Sequence, residues 1–338
     1  MRLCTPMVSS NKGNTNDLAD CMQISVMITT RNRCANLRQT LTRLASMNPP
    51  ASEILVTADG CTDGTVALVQ KEFSHCRLTV NETCLGSIRS RDRMLHDASG
   101  DVVMSLDDDS YPLEDDFFAK LPALFLAHPE VSVITFPELR DDGSFVPATK
   151  SPSSPGHYVS AYPNGAAAMR RSDYLKTTGY PASFFHAYEE PDYALQMYAL
   201  GKAVWFDPSL VVRHHFSPTN RNNLRTHHFN ARNELWSVWM RCPWPWLPFV
   251  SLFRILRQFA YACSNGGDWM IQEPRWWLSA LKGWQDCREN RWPVPSKTYL
   301  AWMQLARWPL YQVDDFRRIF VPEQAGRAAE PEKRPHCS

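Results

Sequence analysis

After a polar lead, residues 24–30 (Ile-Ser-Val-Met-Ile-Thr-Thr) form a short β-branched apolar run, the pattern of a buried strand. Leu37, Leu41 and Leu44 then recur at helical spacing over 35–47, and Pro49-Pro50 stops that helix. A second apolar run at 53–57 opens into Asp59-Gly-Cys-Thr-Asp-Gly-Thr65, where Thr62 or Asp63 can cap the next helix. A third short strand is expected at 77–80. Gly86 then leads into a basic helix with Arg89, Arg91 and Arg93, which Gly100 ends. A fourth apolar run follows. This alternation predicts a parallel sheet built by right-handed crossovers, a doubly wound nucleotide-binding half.

The fourth run organises the rest: Gly100-Asp-Val-Val-Met-Ser-Leu-Asp-Asp-Asp-Ser110. A strand interior does not hold three like charges, so Asp107, Asp108 and Asp109 must emerge at its carboxyl end. In open α/β sheets that edge is where ligands bind. The triplet reads either as a solvated acidic turn or as oxygen ligands for a hard divalent cation that also grips a phosphate. No G-x-G-x-x-G follows the first strand and no G-x-x-x-x-G-K-[ST] occurs anywhere, which argues against a dinucleotide oxidoreductase and a P-loop ATPase.

Further on, 131–136 reads as another strand, and 137–163, rich in Pro, Ser and Asp, as a mobile loop over the site. In His186-Ala-Tyr-Glu-Glu-Pro-Asp-Tyr193, Pro191 suits the first turn of a helix that Gly201 stops. Glu190 is then expected at the N-cap, where the helix dipole favours an ionised carboxylate able to act as general base. A simple preference for acids at helix starts would give the same pattern. Runs at 204–206 and 210–213 read as closing strands ending at His214-His215, and a neutral imidazole there can complete a carboxylate metal site.

Composition adds boundaries. The chain has 338 residues and a formal net charge of +1, so nothing suggests a nucleic-acid partner. Cysteines are scattered singly without a Cys-x-x-Cys pair, as in a reducing cytosol. Residues 1–20 lack the apolar core of a signal peptide and are expected to be poorly ordered; residues 323–338 read as a disordered tail. No apolar run reaches the roughly 18 residues of a membrane span. After Trp236 the chain turns rich in Trp, Pro and Arg. Phe249, Leu252, Phe253, Leu256, Phe259 and Ala260 recur at helical spacing, as do Trp276, Trp277, Leu281 and Trp284 beside Arg275, Lys282 and Arg288. Such stripes either pack on the preceding domain or lie in a membrane interface.

Taken together, 24–33, 53–65, 86–91 and 106–109 resemble the successive blocks of glycosyltransferase family 2. The resemblance spans about residues 23–236 and implies the GT-A fold, a Rossmann-like, mostly parallel sheet flanked by helices, here with a C-terminal helical extension at 237–322. It divides the catalytic domain into a nucleotide-sugar half (about 23–110) and an acceptor half (about 111–236). Thr29 stands where the family usually has Pro, Arg31 where it has an aromatic, and Ala58 where it has a base-holding Asp, leaving Asp59 as the nearby acid.

The resemblance implies an inverting transferase of hexosyl or deoxyhexosyl type, moving sugar from a nucleoside diphosphate to a glycan or lipid-linked hydroxyl. Asp107 and Asp109 would hold Mg²⁺ or Mn²⁺, with His215, or less readily His214, completing the site. Thr30, Arg31, Asn32, Asp59, Arg91, Asp107 and Asp108 would bind the donor. Glu190, with Glu189 beside it, would be the base. Asn164, Gly165, Tyr188 and Asp192 would serve the acceptor, with Tyr158, Tyr162, Phe184 and Phe185 as stacking candidates. Asn233 resembles an Arg-Asn helix common in the family. The expected location is cytoplasmic, peripheral at a membrane face. The rivals are an inactive carbohydrate-binding or scaffold relative and, more remotely, a sugar-phosphate nucleotidyltransferase, which would carry a glycine-rich phosphate loop that 29–33 lacks.

Overall fold

The computed structural model describes residues 22–147, 151–216 and 222–321. The expected flexible N-terminus (1–20) and disordered tail (323–338) lie outside the described residues. The first half follows the hydrophobic pattern closely: β1 (Ile24–Thr30), α1 (Cys34–Ala45), β2 (Glu53–Asp59), α2 (Thr65–Glu72), β3 (Arg77–Asn81), α3 (Ser87–Asp97) and β4 (Val102–Asp107). These strands lie parallel in the order β3-β2-β1-β4. Thr29 is in register with Asp107 and Thr30 with Ala58, so the carboxyl ends of β1, β2 and β4 form one polar rim. The central strands are largely apolar and buried, as in a sheet covered on both faces; Val26, Met27 and Ile28 are fully buried.

The chain continues through β5 (Ser110–Pro112), α4 (Phe117–Ala127), β6 (Val131–Thr135), β7 (Glu138–Leu139), β8 (His157–Tyr158) and β9 (Ala166–Arg170). Next come α5 (Arg171–Tyr174), α6 (Glu189–Ala199), β10 (Ala203–Phe206) and β11 (Val212–His214). The main sheet runs β3-β2-β1-β4-β9-β6-β10-β8, with β9 antiparallel to both neighbours. A second sheet, β5-β11-β7, sits at the rim. The segment 137–163 is therefore not simply a loop. It contributes β7 to the small sheet and β8 to the edge of the large one, because each finds a strand edge to pair with.

Five of the C-terminal helices follow α6 and the last strands: α7 (Asn223–Arg241), α8 (Leu247–Ser264), α9 (Gly267–Lys282), α10 (Trp284–Glu289) and α11 (Ser296–Leu305). The last, α12 (Val313–Phe320), returns to the sheet edge, where Phe316 stacks on Tyr158 at 5.0 Å. Among the described residues no helix is long and apolar enough to cross a membrane. None of the described cysteines forms a disulfide.

Candidate active site

Asp107 is the last residue of β4, and Asp108 and Asp109 make the turn into β5. The small sheet then gathers acids and imidazole from three distant stretches. β11 sets His214 opposite Ser110, and β7 brings Glu138 beside Val212. His214 Nε2 lies 3.3 Å from Asp109 Oδ1 and 3.9 Å from Asp107 Oδ2. On its other side, His214 Nδ1 meets Glu138 Oε2 at 2.5 Å. With Nδ1 turned to Glu138, Nε2 is the nitrogen that faces the acids.

Asp107, Asp109 and His214 can each offer a ligand atom within 4.8 Å of the others. Asp109 Oδ1 is buried and, although 3.3 Å from His214 Nε2, makes no hydrogen bond of good geometry, so a cation between them would satisfy it. Two carboxylates and an imidazole also suit Mg²⁺ or Mn²⁺ by donor type, so the residues fit the metal. His215, the first candidate ligand from the sequence, is not in this group. It faces away, with Nε2 2.7 Å from the Tyr111 hydroxyl and Nδ1 2.6 Å from Asp141, because adjacent strand residues point to opposite faces.

Arginines meet each acid. Arg33 contacts Asp108 at 2.8 Å and also pairs with Asp109. Arg91, buried on α3, donates to Asp107 at 2.5 Å and reaches to 3.8 Å from Glu189, bridging the two acidic clusters. Burial favours the neutral form of Asp109, but His214 and Arg33 outweigh it and hold the carboxyl below its usual range. Asp108 goes the other way. Burial, helped by its two acidic neighbours, outweighs Arg33 and Thr30 and pushes it up to about 7. Burial would lower His214, yet Asp109 and Glu138 lift it to about 10. As a metal ligand it would give up that proton.

The acids floor a cavity of ≈ 560 Å³ whose wall includes Thr30, Arg31, Arg33, Asp59, Arg91 and Phe185. Several expected donor contacts are already engaged within the protein. The Asp108 oxygens take Arg33 and the Thr30 hydroxyl, the latter at 2.8 Å. Asp59 accepts from the Leu85 and Gly86 backbone N–H groups, both at 2.9 Å, so it ties down the loop before α3. Asn32 sits at φ +54° and accepts from the Thr62 N–H at 2.7 Å. It braces the neighbouring loop instead of lining the cavity. Gly165 leaves room for the metal-side acid: a Cβ there would stand 2.8 Å from Asp107 Oδ2.

The second acidic pair differs from expectation. Tyr188, in the left-handed region at φ +73°, is the N-cap of α6, so Glu190 lies inside the first turn. Burial and the adjacent Glu189 charge hold Glu190 well above the ordinary carboxylate range, outweighing the backbone N–H groups and Arg91. The expected ionised N-cap acid is thus replaced by one of a coupled pair. Neither glutamate lines the donor cavity. Glu189 is buried and takes the Asn164 side-chain amide at 2.9 Å, while the Asn164 N–H reaches Glu190 at 3.4 Å.

Other acceptor candidates are structural in their contacts. Asp192 is fully buried and bound by Arg241, Ser237 and Gln196, leaving nothing for a ligand. The Tyr188 hydroxyl donates to Glu234 at 3.3 Å. Tyr158, Tyr162 and Phe184 are core residues; Phe185 alone of the four lines the cavity.

Two contributors, Arg33 and Glu138, escaped the sequence reading, which also noted Asn233 without a role. Arg33 had a signal, the basic residue closing the turn after β1. Glu138 had none, since its place depends on β7 pairing with β11. Asn233, fully buried on α7, donates its amide to the carbonyls of Phe184, His186 and Ala187. It thereby holds a segment in which Phe185, Ala187 and Tyr188 all have positive φ.

Among known protein families, residues 25–187 match the one described as glycosyl transferase family 2. Residues 25–187 form a family 2 glycosyltransferase domain. Solved structures agree on the fold. S. aureus TarS 1–349 superposes with a TM-score of 0.55 at 18% identity, covering 88% of this chain and 90% of that one. A mannosyltransferase from Pyrobaculum calidifontis, in complex with GDP-Man and Mn²⁺, gives 0.52 at 16%, covering 85% and 87%. GalNAc-T7 with UDP, GalNAc and Mn²⁺ gives 0.54 at 15%; the match covers 67% of this glycosyltransferase but only 49% of that chain. No curated protein sequence matches.

Proposed function

We propose that this glycosyltransferase moves a sugar from a nucleoside diphosphate to a hydroxyl of a glycan or lipid-linked saccharide, with inversion at the anomeric carbon. One observation carries the reading: Asp107, Asp109 and His214 converge on the floor of a cavity that Arg31, Arg33 and Arg91 also line. The structural neighbours bound to UDP, UDP-GlcNAc or GDP-Man support the donor class. Asp107, Asp109 and His214 would hold Mg²⁺ or Mn²⁺, which neutralises the charge building on the departing diphosphate. Arg91 offers a guanidinium to a phosphate oxygen when it exchanges from Asp107, and Arg33 does the same at the far side. Thr30 and Arg31 face the nucleoside end.

Glu190 is the base we assign. It is the more accessible of the two glutamates, and burial beside Glu189 makes its ionised form a stronger base than an ordinary carboxylate. Asn164, bonded to both acids, orients them. The acceptor is proposed to wait at a membrane surface on its cytoplasmic side, where the open faces of α8 and α9 dock.

A metal-dependent hydrolysis screen over a panel of nucleotide sugars tests the reading. Release of nucleoside diphosphate from one donor, lost in Asp109→Asn, supports it; no release from any donor with either metal overturns it. Glu190→Gln separates the base. It should retain donor binding by calorimetry while transfer falls about a hundredfold or more.

A further inference from the structure

A second cavity of ≈ 560 Å³ opens among α7, α8 and α9, and Thr226 borders both it and the donor cavity. Its lining is unusual for a helical surface. Asn223, Asn230, Gln258 and Asn265 contribute amides, and Tyr261 and Trp269 contribute aromatic rings. The two rings meet edge to face at 6.0 Å, and His227 sits 5.4 Å from each.

The floor is built and rigid. His227 contacts the fully buried Glu273 at 2.7 Å, and Glu273 takes the Trp276 indole N–H at 2.8 Å on its other oxygen. Gln258, also buried, donates to Glu234 at 2.6 Å, and Arg257 grips both Glu234 oxygens at 2.5 Å. Arg254 reaches Glu234 at 3.0 Å as well. Arg254 and Arg257 thus both pair with Glu234, while Glu273 is held by His227 and Trp276. A cavity whose charged groups are each held in an ion pair, with amides and aromatic rings beside them, is poorly suited to selecting an anion. It suits the alternating C–H faces and hydroxyls of an uncharged sugar.

Resting on the glycosyltransferase reading, we infer that the cavity between α7, α8 and α9 is a subsite for neutral sugar residues of the acceptor, remote from the bond being made. The acceptor chain enters across Thr226, with its reactive hydroxyl at the catalytic end and preceding sugars on Tyr261 and Trp269. Binding energy gathered there lowers the acceptor KM without altering the chemical step. The subsite therefore selects acceptor length and composition while the donor cavity selects the donor.

The test uses the full chain and two readouts. Donor hydrolysis without acceptor reports the donor site alone. An array of neutral glycans and of phosphate- or carboxylate-bearing glycans reports the subsite, and the best-bound glycan then serves as acceptor. Trp269→Ala and, in an independent variant, Asn230→Ala should keep donor hydrolysis and melting behaviour. Both should weaken binding to the neutral glycans and raise acceptor KM about tenfold at unchanged kcat. Trp269→Phe should restore most of the Trp269→Ala loss. The inference falls if wild-type binding is confined to charged glycans, or if both Ala variants bind and transfer with unchanged KM. Failure of donor hydrolysis in the wild type would instead strike the catalytic reading.

Discussion

The rim of the parallel sheet and the outer faces of α8 and α9 treat side chains in opposite ways. At the rim, charged groups are buried and matched: Arg33 on Asp108 and Asp109, Arg91 on Asp107, Glu138 on His214. On the helices, large apolar groups are left in the open. Phe249 is 69% exposed, Phe253 59% and Leu281 64%. The expected apolar stripe exists, but most of it turns outward; α8 buries Leu247, Val250, Gln258 and Ala262 instead. Trp276 is the exception, buried against Glu273. Buried polarity is retained at the rim proposed to meet a charged donor, and apolar groups are exposed on the faces proposed to meet an apolar surface.

The contrast can be broken at each end. The largest effect is expected at the rim: Asp109→Asn should cut metal-dependent sugar transfer about a thousandfold while leaving the fold intact, as read by steady-state rates and circular dichroism. Next is the buried pair that fastens α6 to α7. Arg241→Met strands Asp192 without its partner and should cost about 3–5 kcal/mol in urea unfolding; adding Asp192→Leu should recover much of it.

Smaller is the acid response at the sheet edge. Burial would raise Glu130, but the hydrogen bonds from His128 and Tyr158 prevail and bring it down to about 2. Its native value lies below its unfolded one, so its contribution is complete above about pH 4.5 and fades as pH falls toward about 2. Glu130→Gln should remove about 1–3 kcal/mol at neutral pH and flatten that part of the acid unfolding curve. The smallest effect on the fold is expected on the helices. Leu256→Ser should change stability by no more than about 0.5 kcal/mol, yet lower flotation with anionic vesicles. Unchanged flotation, with Phe253→Ser added, would remove the membrane from the proposal.

The same contrast governs what the sequence revealed. β1 lies where its apolar run begins and ends, and β4 delivers its acids at the rim, because periodicity and like-charge repulsion are local properties. Glu190 was misplaced because positive φ at Phe185, Ala187 and Tyr188 sets the start of α6 at Tyr188, and no propensity announces it. The choice between His214 and His215 depended on which face of β11 meets β5 and β7. Asp192 looked like a ligand group until α7 supplied Arg241, some fifty residues onward in the chain. Long-range pairing, not composition, decided all three.

Asn233 has a consequence for modularity. The family match ends at residue 187, on the very carbonyl that Asn233 holds from α7. A chimera joined there would carry the metal acids but leave the approach to Glu189 and Glu190 to an unrelated helix. In laboratory recombination, the two glutamates proposed to act on the acceptor should therefore be moved together with α7.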